Sequence, residues 1–196
     1  QRQMCIRDSS KLEQRYQNAS LPNYEIINLS QIKLQKQSWL SKEIIQKVNS
    51  HLEKKDQVLF FLNRRGFSPN VFCKKCLNSF SCPNCSINLV YHKSKNSLMC
   101  HYCGFKTSLI RSCSQKQDCD FIFCGPGVER ISEEIRKNFP TKKVEIFSSD
   151  TMNKKDSKEK IEKIINNKIE ILVGTQLISK GFHFPNPVSY THLTLP

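Results

Sequence analysis

The sequence predicts an α/β chain whose partial parallel sheet is interrupted by a cysteine-rich insertion, and three observations carry that prediction. Two largely apolar runs of strand length, Val58-Leu59-Phe60-Phe61-Leu62 and Ile169 to Val173, read as strands buried on both faces, as in a parallel sheet. Strand and helix patterns then alternate as strand, helix, strand, helix, strand, the rhythm of right-handed crossovers. Eight of the ten cysteines fall between Cys73 and Cys119, inside the connection from the first strand to the next helix. With 196 residues, 38% of them hydrophobic, the chain can bury a real core.

Both ends read as foreign to that core. Gln1 to Ser9 has neither periodicity nor turn logic, and Val188 to Pro196 breaks off where another element should begin. Residues 1–9 and 188–196 are therefore read as non-native sequence-assembly scars and left out of the fold, with Cys5 and His192. The natural segment runs from about Ser10 to Pro187. Within it, residues 10–71 hold a linker and the first strand, 72–120 the insertion, and 121–187 the continuation of the sheet.

The elements follow in order. Tyr24 to Leu29 alternates and reads as a strand leading into the domain. Ser38 or Ser41 caps a helix running to about Lys55, with Ile44, Ile45, Val48 and Leu52 on one stripe. Gln57 to Asn63 is the first sheet strand, ending in the abrupt turn Asn63-Arg64-Arg65-Gly66. After the cysteines, Gly125-Pro126-Gly127 opens a helix with Val128, Ile131, Ile135 and Phe139 inward, stopped by Pro140. Lys143 to Phe147 is a strand, Asp156 or Ser157 starts a helix with Ile161, Ile164 and Ile165 inward, and Ile169 to Val173 runs into Gly174-Thr175-Gln176.

The cysteines fall as Cys73-x-x-Cys76, Cys82-x-x-Cys85, Cys100-x-x-Cys103 and a looser pair, Cys113 with Cys119. Two thiolate pairs, each on a tight turn, give a closed tetrahedral shell suited to Zn2+. Cys82, Cys85, Cys100 and Cys103 form an inner site of zinc-ribbon type, in which Pro83 presets one turn and Gly104 takes the positive φ after the other. Cys73, Cys76, Cys113 and Cys119 are left for an outer site, so the two nest. Cys124 competes with Cys119 for the eighth position. Cys119 is preferred because Asp120 to Cys124 reads as a strand with Phe121 and Phe123 on one face and Cys124 on the other. A disulfide framework fits a long lysine-rich chain poorly, and a redox dithiol needs one exposed pair rather than eight sulfurs in ligand spacing. Closed four-thiolate shells make both metals structural.

The formal charge is +14. Each four-thiolate zinc site removes two units, leaving about +10. From Phe72 to Cys124 there are seven Lys or Arg against Asp118 and Asp120, so the basic surplus lies mostly on the flanking segments. Nucleic acid is the leading polyanionic partner. No apolar run has the length of a membrane span.

In parallel α/β sheets the working residues lie beyond the carboxyl ends of the strands. Two loops qualify. Arg64 and Arg65 can hold phosphates by bidentate contacts. Gly174 to Pro185 supplies donors to a phosphodiester through Thr175, Gln176 and Lys180, with Thr175 equally able to cap a short helix. Nothing in the chain pairs a nucleophile with a base, and no catalytic residue is assigned.

The runs VLFFLNRRGFSPNVFC, CGPGVERI and GTQLISKGFHFP, with the cysteine pattern between them, resemble the bacterial primosomal replication-restart helicases over nearly all of the natural segment. The resemblance implies the start of a second RecA-like lobe of a superfamily 2 helicase with an inserted two-zinc module, its sites nested as outer and inner quartets. It places Asn63 to Gly66 at helicase motif IV and Gly174 to Pro185 at motif V, which touches single-stranded DNA and couples it to ATP through residues such as Gly181 and His183. It also implies forked or single-stranded DNA, primosome proteins and single-stranded-DNA-binding proteins as partners, and a cytoplasmic location. A Walker A run, G-x-x-x-x-G-K-[ST], is absent from the chain, so ATP and Mg2+ are expected only in the full-length protein. The alternative is a non-enzymatic zinc-ribbon module that binds nucleic acid or protein, for which GTQLISKGFHFP has no use.

Overall fold

The computed structural model describes residues 22–32, 34, 38–109, 120–151, 157–178, 184 and 186–193. It divides into two units, Gln1–Lys33 and Leu34–Pro196. In the first, Leu29–Gln31 is a single 3-10 turn capped by Asn28, whose side chain accepts from the Ser30 N–H at 3.0 Å. The strand expected over Tyr24 to Leu29 does not form. Tyr24 and Ile26 are each 90% exposed, so its alternating side chains have no surface to pack on, and Asn28 turns the chain instead.

The second unit comprises α1 (Lys42–Glu53), β1 (Gln57–Phe61), β2 (Asn70–Cys73), β3 (Val90–His92), β4 (Ser97–Met99), β5 (Lys106–Ser108), β6 (Phe121–Cys124), α2 (Val128–Asn138), β7 (Val144–Phe147), α3 (Ser157–Ile165), β8 (Ile171–Gly174) and β9 (Pro187–His192). Four strands form one parallel sheet in the order β7-β8-β1-β9. Every residue of β1 and β8 is buried, which is why their sequences are apolar without alternation. Leu59, Phe147, Ile164, Ile169, Leu172 and Ile178 make the core on one side of the sheet.

The helices follow the expected stripes with local differences. Ser41, not Ser38, caps α1, accepting from the Ile44 N–H at 3.2 Å. Ser38 instead donates to Glu134 on α2, which also takes the backbone N–H groups of Trp39 and Leu40. In α3, Ile164 is buried but Ile165 is 42% exposed, since consecutive helical residues point about 100° apart. The fold also includes residues that the sequence reading set aside. Val188 to His192 lies within β9, paired to β1 from Gln57↔Pro187 to Phe61↔His192. Val188 and Tyr190 stay 65% and 57% exposed, so backbone pairing along the open edge of β1 holds this strand rather than side-chain burial.

The insertion emerges between β1 and α2. β2 and β6 pair antiparallel from Asn70↔Cys124 to Cys73↔Phe121, and β3, β4 and β5 form a separate antiparallel sheet. The boundary drawn at residue 120 had placed β6 with the parallel sheet, but its hydrogen bonds go to β2, so it closes the insertion. Val71, Cys82, Leu89, Tyr91, Leu98 and Cys100 form a second core, with Phe121 and Phe123 packed on it as the strand pattern predicted.

The first turn of α2 clamps both ends of the insertion. Its orphan N–H groups donate to the loop after β1, from Gly127 to Phe67, Val128 to Arg64 and Glu129 to Gly66, each at 2.9 Å. The approach is so close that a Cβ at Gly127 would stand 2.2 Å from the Gly66 carbonyl oxygen. Gly127→Ala is therefore expected to break this clamp and cost about 3 kcal/mol, read as a lower urea midpoint at an unchanged m-value.

Candidate metal centre

The chain makes the same turn at Cys73, Cys82 and Cys100. Each carbonyl accepts from the N–H four residues on, Leu77 at 2.8 Å, Ser86 at 2.9 Å and Gly104 at 3.0 Å. Each N–H donates to the carbonyl five residues on, Asn78 at 3.0 Å, Ile87 at 2.7 Å and Phe105 at 2.8 Å. The residue after the second cysteine then takes a positive φ, 58° at Leu77, 56° at Ser86 and 79° at Gly104. Such a turn aims two sulfurs and several amide N–H groups to the same side.

Two of these turns face each other. The sulfurs of Cys82, Cys85, Cys100 and Cys103 all lie within 4.8 Å of one another. Cys82 and Cys103 are 3.5 Å apart, near the edge of about 3.8 Å for a tetrahedron with Zn–S bonds of about 2.3 Å. The donor set therefore fits Zn2+, and the predicted inner quartet is brought together. Cys82 and Cys100 are buried within the hydrophobic cluster, whereas Cys103 is exposed. The Phe105 backbone N–H holds the Cys103 thiol down to about 6, its hydrogen bond to Cys103 pushes Cys85 up to about 12, and burial pushes Cys82 up. A bound cation would let the remaining thiols ionise.

Of the predicted outer quartet, Cys73 is buried and Cys76 half-buried on the third turn, and Cys113 and Cys119 lie outside the described residues. Cys124, the competitor of Cys119, sits half-buried on β6, with its carbonyl accepting from Ser68 Oγ at 2.7 Å.

The two predicted loops are neighbours. Phe61 stands in register with Gly174, and the Leu62 N–H donates to the Gly174 carbonyl at 2.9 Å, so both loops leave the same edge of adjacent strands. Arg64 is half-buried and Arg65 exposed, and both line a cavity of ≈ 390 Å³ with Asn63, Pro69, Asn70, Val90 and His101. One wall is thus the loop after β1 and the other is the cysteine-rich insertion. Thr175 is 2% exposed, its carbonyl accepting from the Ile178 N–H at 3.0 Å, while Gln176 is exposed. Lys180, Gly181 and His183 lie outside the described residues.

One polar cluster went unread in the sequence. Glu129 Oε1 is 3.0 Å from His92 Nδ1, His92 Nε2 is 2.9 Å from His101 Nε2, and His101 Nδ1 is 3.8 Å from Asp150 Oδ1. The Glu129 carboxylate also accepts from the Lys93 N–H at 3.0 Å. Burial alone would raise Glu129, but the His92 hydrogen bond and the backbone donors of Ser94 and Lys93 outweigh it and hold the carboxyl below its ordinary range. Burial pushes His101 down, with His92, Arg65 and Lys95 adding to that and Asp150 opposing it. No spacing in the sequence could flag this group, because its members come from β3, a cysteine turn, α2 and the turn after β7.

Residues 82–107 match the family described as PriA DNA helicase Cys-rich region (CRR) domain. The chain is similar to the replication restart protein PriA of Rickettsia felis, 44% identical over 177 residues that make up 89% of this chain and 27% of the relative. Against the proteins of the same name from Borreliella burgdorferi and Bacillus subtilis the identities are 34% and 32%, again over 89% of this chain, covering 26% and 22% of those relatives. The chain thus matches a PriA segment that contains the Cys-rich region, and it spans about a quarter of the length of the relatives it matches.

The repeated turn gives a reciprocal expectation. Leu77 is 67% exposed at a φ that suits glycine, so Leu77→Gly should stabilise the chain by about 1 kcal/mol. At Gly104 a Cβ would meet nothing within 4 Å, so Gly104→Ala should cost about 1 kcal/mol from backbone conformation alone. Thermal unfolding of the two variants measures both.

Proposed function

We propose that this segment of a PriA-family protein is the start of the second RecA-like lobe of an ATP-dependent DNA helicase that moves 3′ to 5′, restarts stalled replication forks and initiates primosome assembly. The observation that carries the reading is that the similarity runs through 89% of the chain, taking in the sheet strands and the Cys-rich region together. A zinc ribbon alone would leave the sheet loops without a purpose.

In this reading the inner zinc is held by Cys82, Cys85, Cys100 and Cys103, and the outer one by Cys73, Cys76, Cys113 and Cys119. The turn shared by Cys73 and the two inner pairs supports the outer assignment. Bound zinc crosslinks the insertion, whose hydrophobic cluster contains two of the ligating cysteines. DNA is met by Arg64 and Arg65 in the cavity, by the exposed Gln176 and by Lys180, with the buried Thr175 shaping the turn. Gly181 and His183 couple that contact to ATP. In the whole protein ATP and Mg2+ sit between two lobes. Primosome and single-stranded-DNA-binding proteins are the partners of the whole protein, and the cytoplasm is where it works.

Metal content per chain tests this directly. Two zinc ions are expected for the parent, with one lost in Cys119→Ser and none in Cys124→Ser. One ion or none in the parent would overturn the nested sites and favour a simple ribbon. The chain has no Walker A run, so DNA-stimulated ATP turnover by the chain alone is expected to be nil, and measurable turnover would refute the lobe assignment.

Replacing both Arg64 and Arg65 by Ala should weaken single-stranded DNA binding without regard to sequence. Two lost phosphate contacts should flatten the log–log salt dependence by about 1.4, measured by fluorescence anisotropy across a salt series.

A further inference from the structure

His92, His101 and Asp150 converge from three separate elements, and their donor atoms lie within 4.8 Å of one another. His92 is 1% exposed, and the side chains of Asp150 and His101 are 13% and 18% exposed. A carboxylate can only accept, so the 3.0 Å contact to Glu129 puts a proton on His92 Nδ1, and in the neutral ring Nε2 keeps a lone pair. That lone pair points at His101 Nε2, 2.9 Å away.

His101 Nδ1 in turn stands 3.8 Å from Asp150 Oδ1, so the donor atoms of three side chains face one another across a short gap. Asp150 adds an unmet need of its own, since its Oδ2 is buried without a hydrogen-bond partner. Of the neighbouring cations, Lys95 Nζ donates to the Asp150 backbone carbonyl at 3.3 Å and Arg65 lines the adjacent cavity. A further proton on either imidazole or a metal cation shared by the three side chains would satisfy these acceptors, and only the metal also explains why three donor sets converge within 4.8 Å of one another beside a buried, unpartnered Asp150 oxygen. The arrangement behind His92 has the form that orients metal-bound imidazoles, with the second ring nitrogen donating to an anchored carboxylate.

We propose that His92, His101 and Asp150 form a further metal site, distinct from the cysteine sites, that takes a divalent cation of the Zn2+ class through two imidazole nitrogens and one carboxylate oxygen. Three protein ligands leave a tetrahedral cation one open position. Because His101 also lines the cavity with Arg64 and Arg65, an oxygen of a bound phosphodiester is the chemistry suited to it. The site ties the insertion, through His92 and His101, to the turn after β7 through Asp150.

Titration of the whole chain with Co2+ separates this site from the cysteines. Cobalt bound by thiolates shows intense sulfur-to-metal charge transfer, and cobalt bound by imidazole and carboxylate shows only weak ligand-field bands. One further equivalent is expected to bind after the charge-transfer bands saturate, and to vanish in His92→Gln and in Asp150→Asn while those bands stay unchanged. His101 is left in place because it stands between two ligating cysteines.

If the thiolate sites fill and nothing binds afterwards in the parent, or if the extra equivalent survives both substitutions, the proposal is wrong and the two imidazoles are simply hydrogen-bonded. If thiolate bands never develop but the weak bands do, this site stands while the cysteine reading falls. If neither develops, both fall.

Discussion

The structure depends on the clamp at the start of α2. A helix begins with N–H groups that have no partner within it, and here three of them, on Gly127, Val128 and Glu129, are given to carbonyls of Phe67, Arg64 and Gly66. Residues 67–124 are thereby closed into a loop whose two ends meet at one point on the sheet. Closing a long loop costs configurational entropy however it is done, and backbone hydrogen bonds that the helix must satisfy anyway are an economical way to do it. The same bonds fix the arginine loop, because Arg64 and Gly66 supply two of the three acceptors. Glu129 and Glu133 extend the clamp outward, the first to His92 and the Lys93 N–H, the second to Lys93 Nζ at 2.7 Å.

Among the described residues of the loop, short strands are held by one hydrophobic cluster. Its strands are three or four residues long, and its hydrophobic cluster counts Cys82 and Cys100 among its buried members. Two of the candidate metal ligands, Cys82 and Cys100, are thus part of that core. Removing a cation from such a site leaves sulfurs that must protonate or repel within an apolar surround, so metal and packing are expected to fail together.

Much of this was legible from residues alone, and the reasons differ by element. The buried strands β1 and β8 announced themselves by unbroken apolar runs, since both faces are covered and no alternation survives. The inner quartet was legible because thiolate ligation on tight turns imposes its spacing on the chain. The same rule let Gly104 be read as a turn glycine but gave no hint that Leu77 and Ser86 adopt the same backbone conformation, which their side chains disfavour. Tyr24 to Leu29 misled because alternation describes a strand only if another surface receives it. Residues 188–192 were set aside because the sequence breaks off there where another element should begin, whereas their place in the sheet comes from backbone groups that look alike in every sequence. The cluster of His92, His101, Glu129 and Asp150 was illegible for a related reason: its geometry is made by packing the insertion against α2 and the turn after β7.

The two loops beyond the sheet are joined through backbone as well. Leu62 donates to Gly174, Val128 to Arg64 and Glu129 to Gly66, so the end of β8, the arginine loop and the base of the insertion form one hydrogen-bonded path. Arg65 and Gln176, next in sequence to that path, are exposed. A ligand lying across the cavity therefore meets the loop after β1 and the insertion together. Substituting the exposed side chains alters what is bound. Breaking the route itself requires a change that backbone geometry forbids, and Gly127, where a Cβ would stand 2.2 Å from the Gly66 carbonyl oxygen, is where that constraint is tightest.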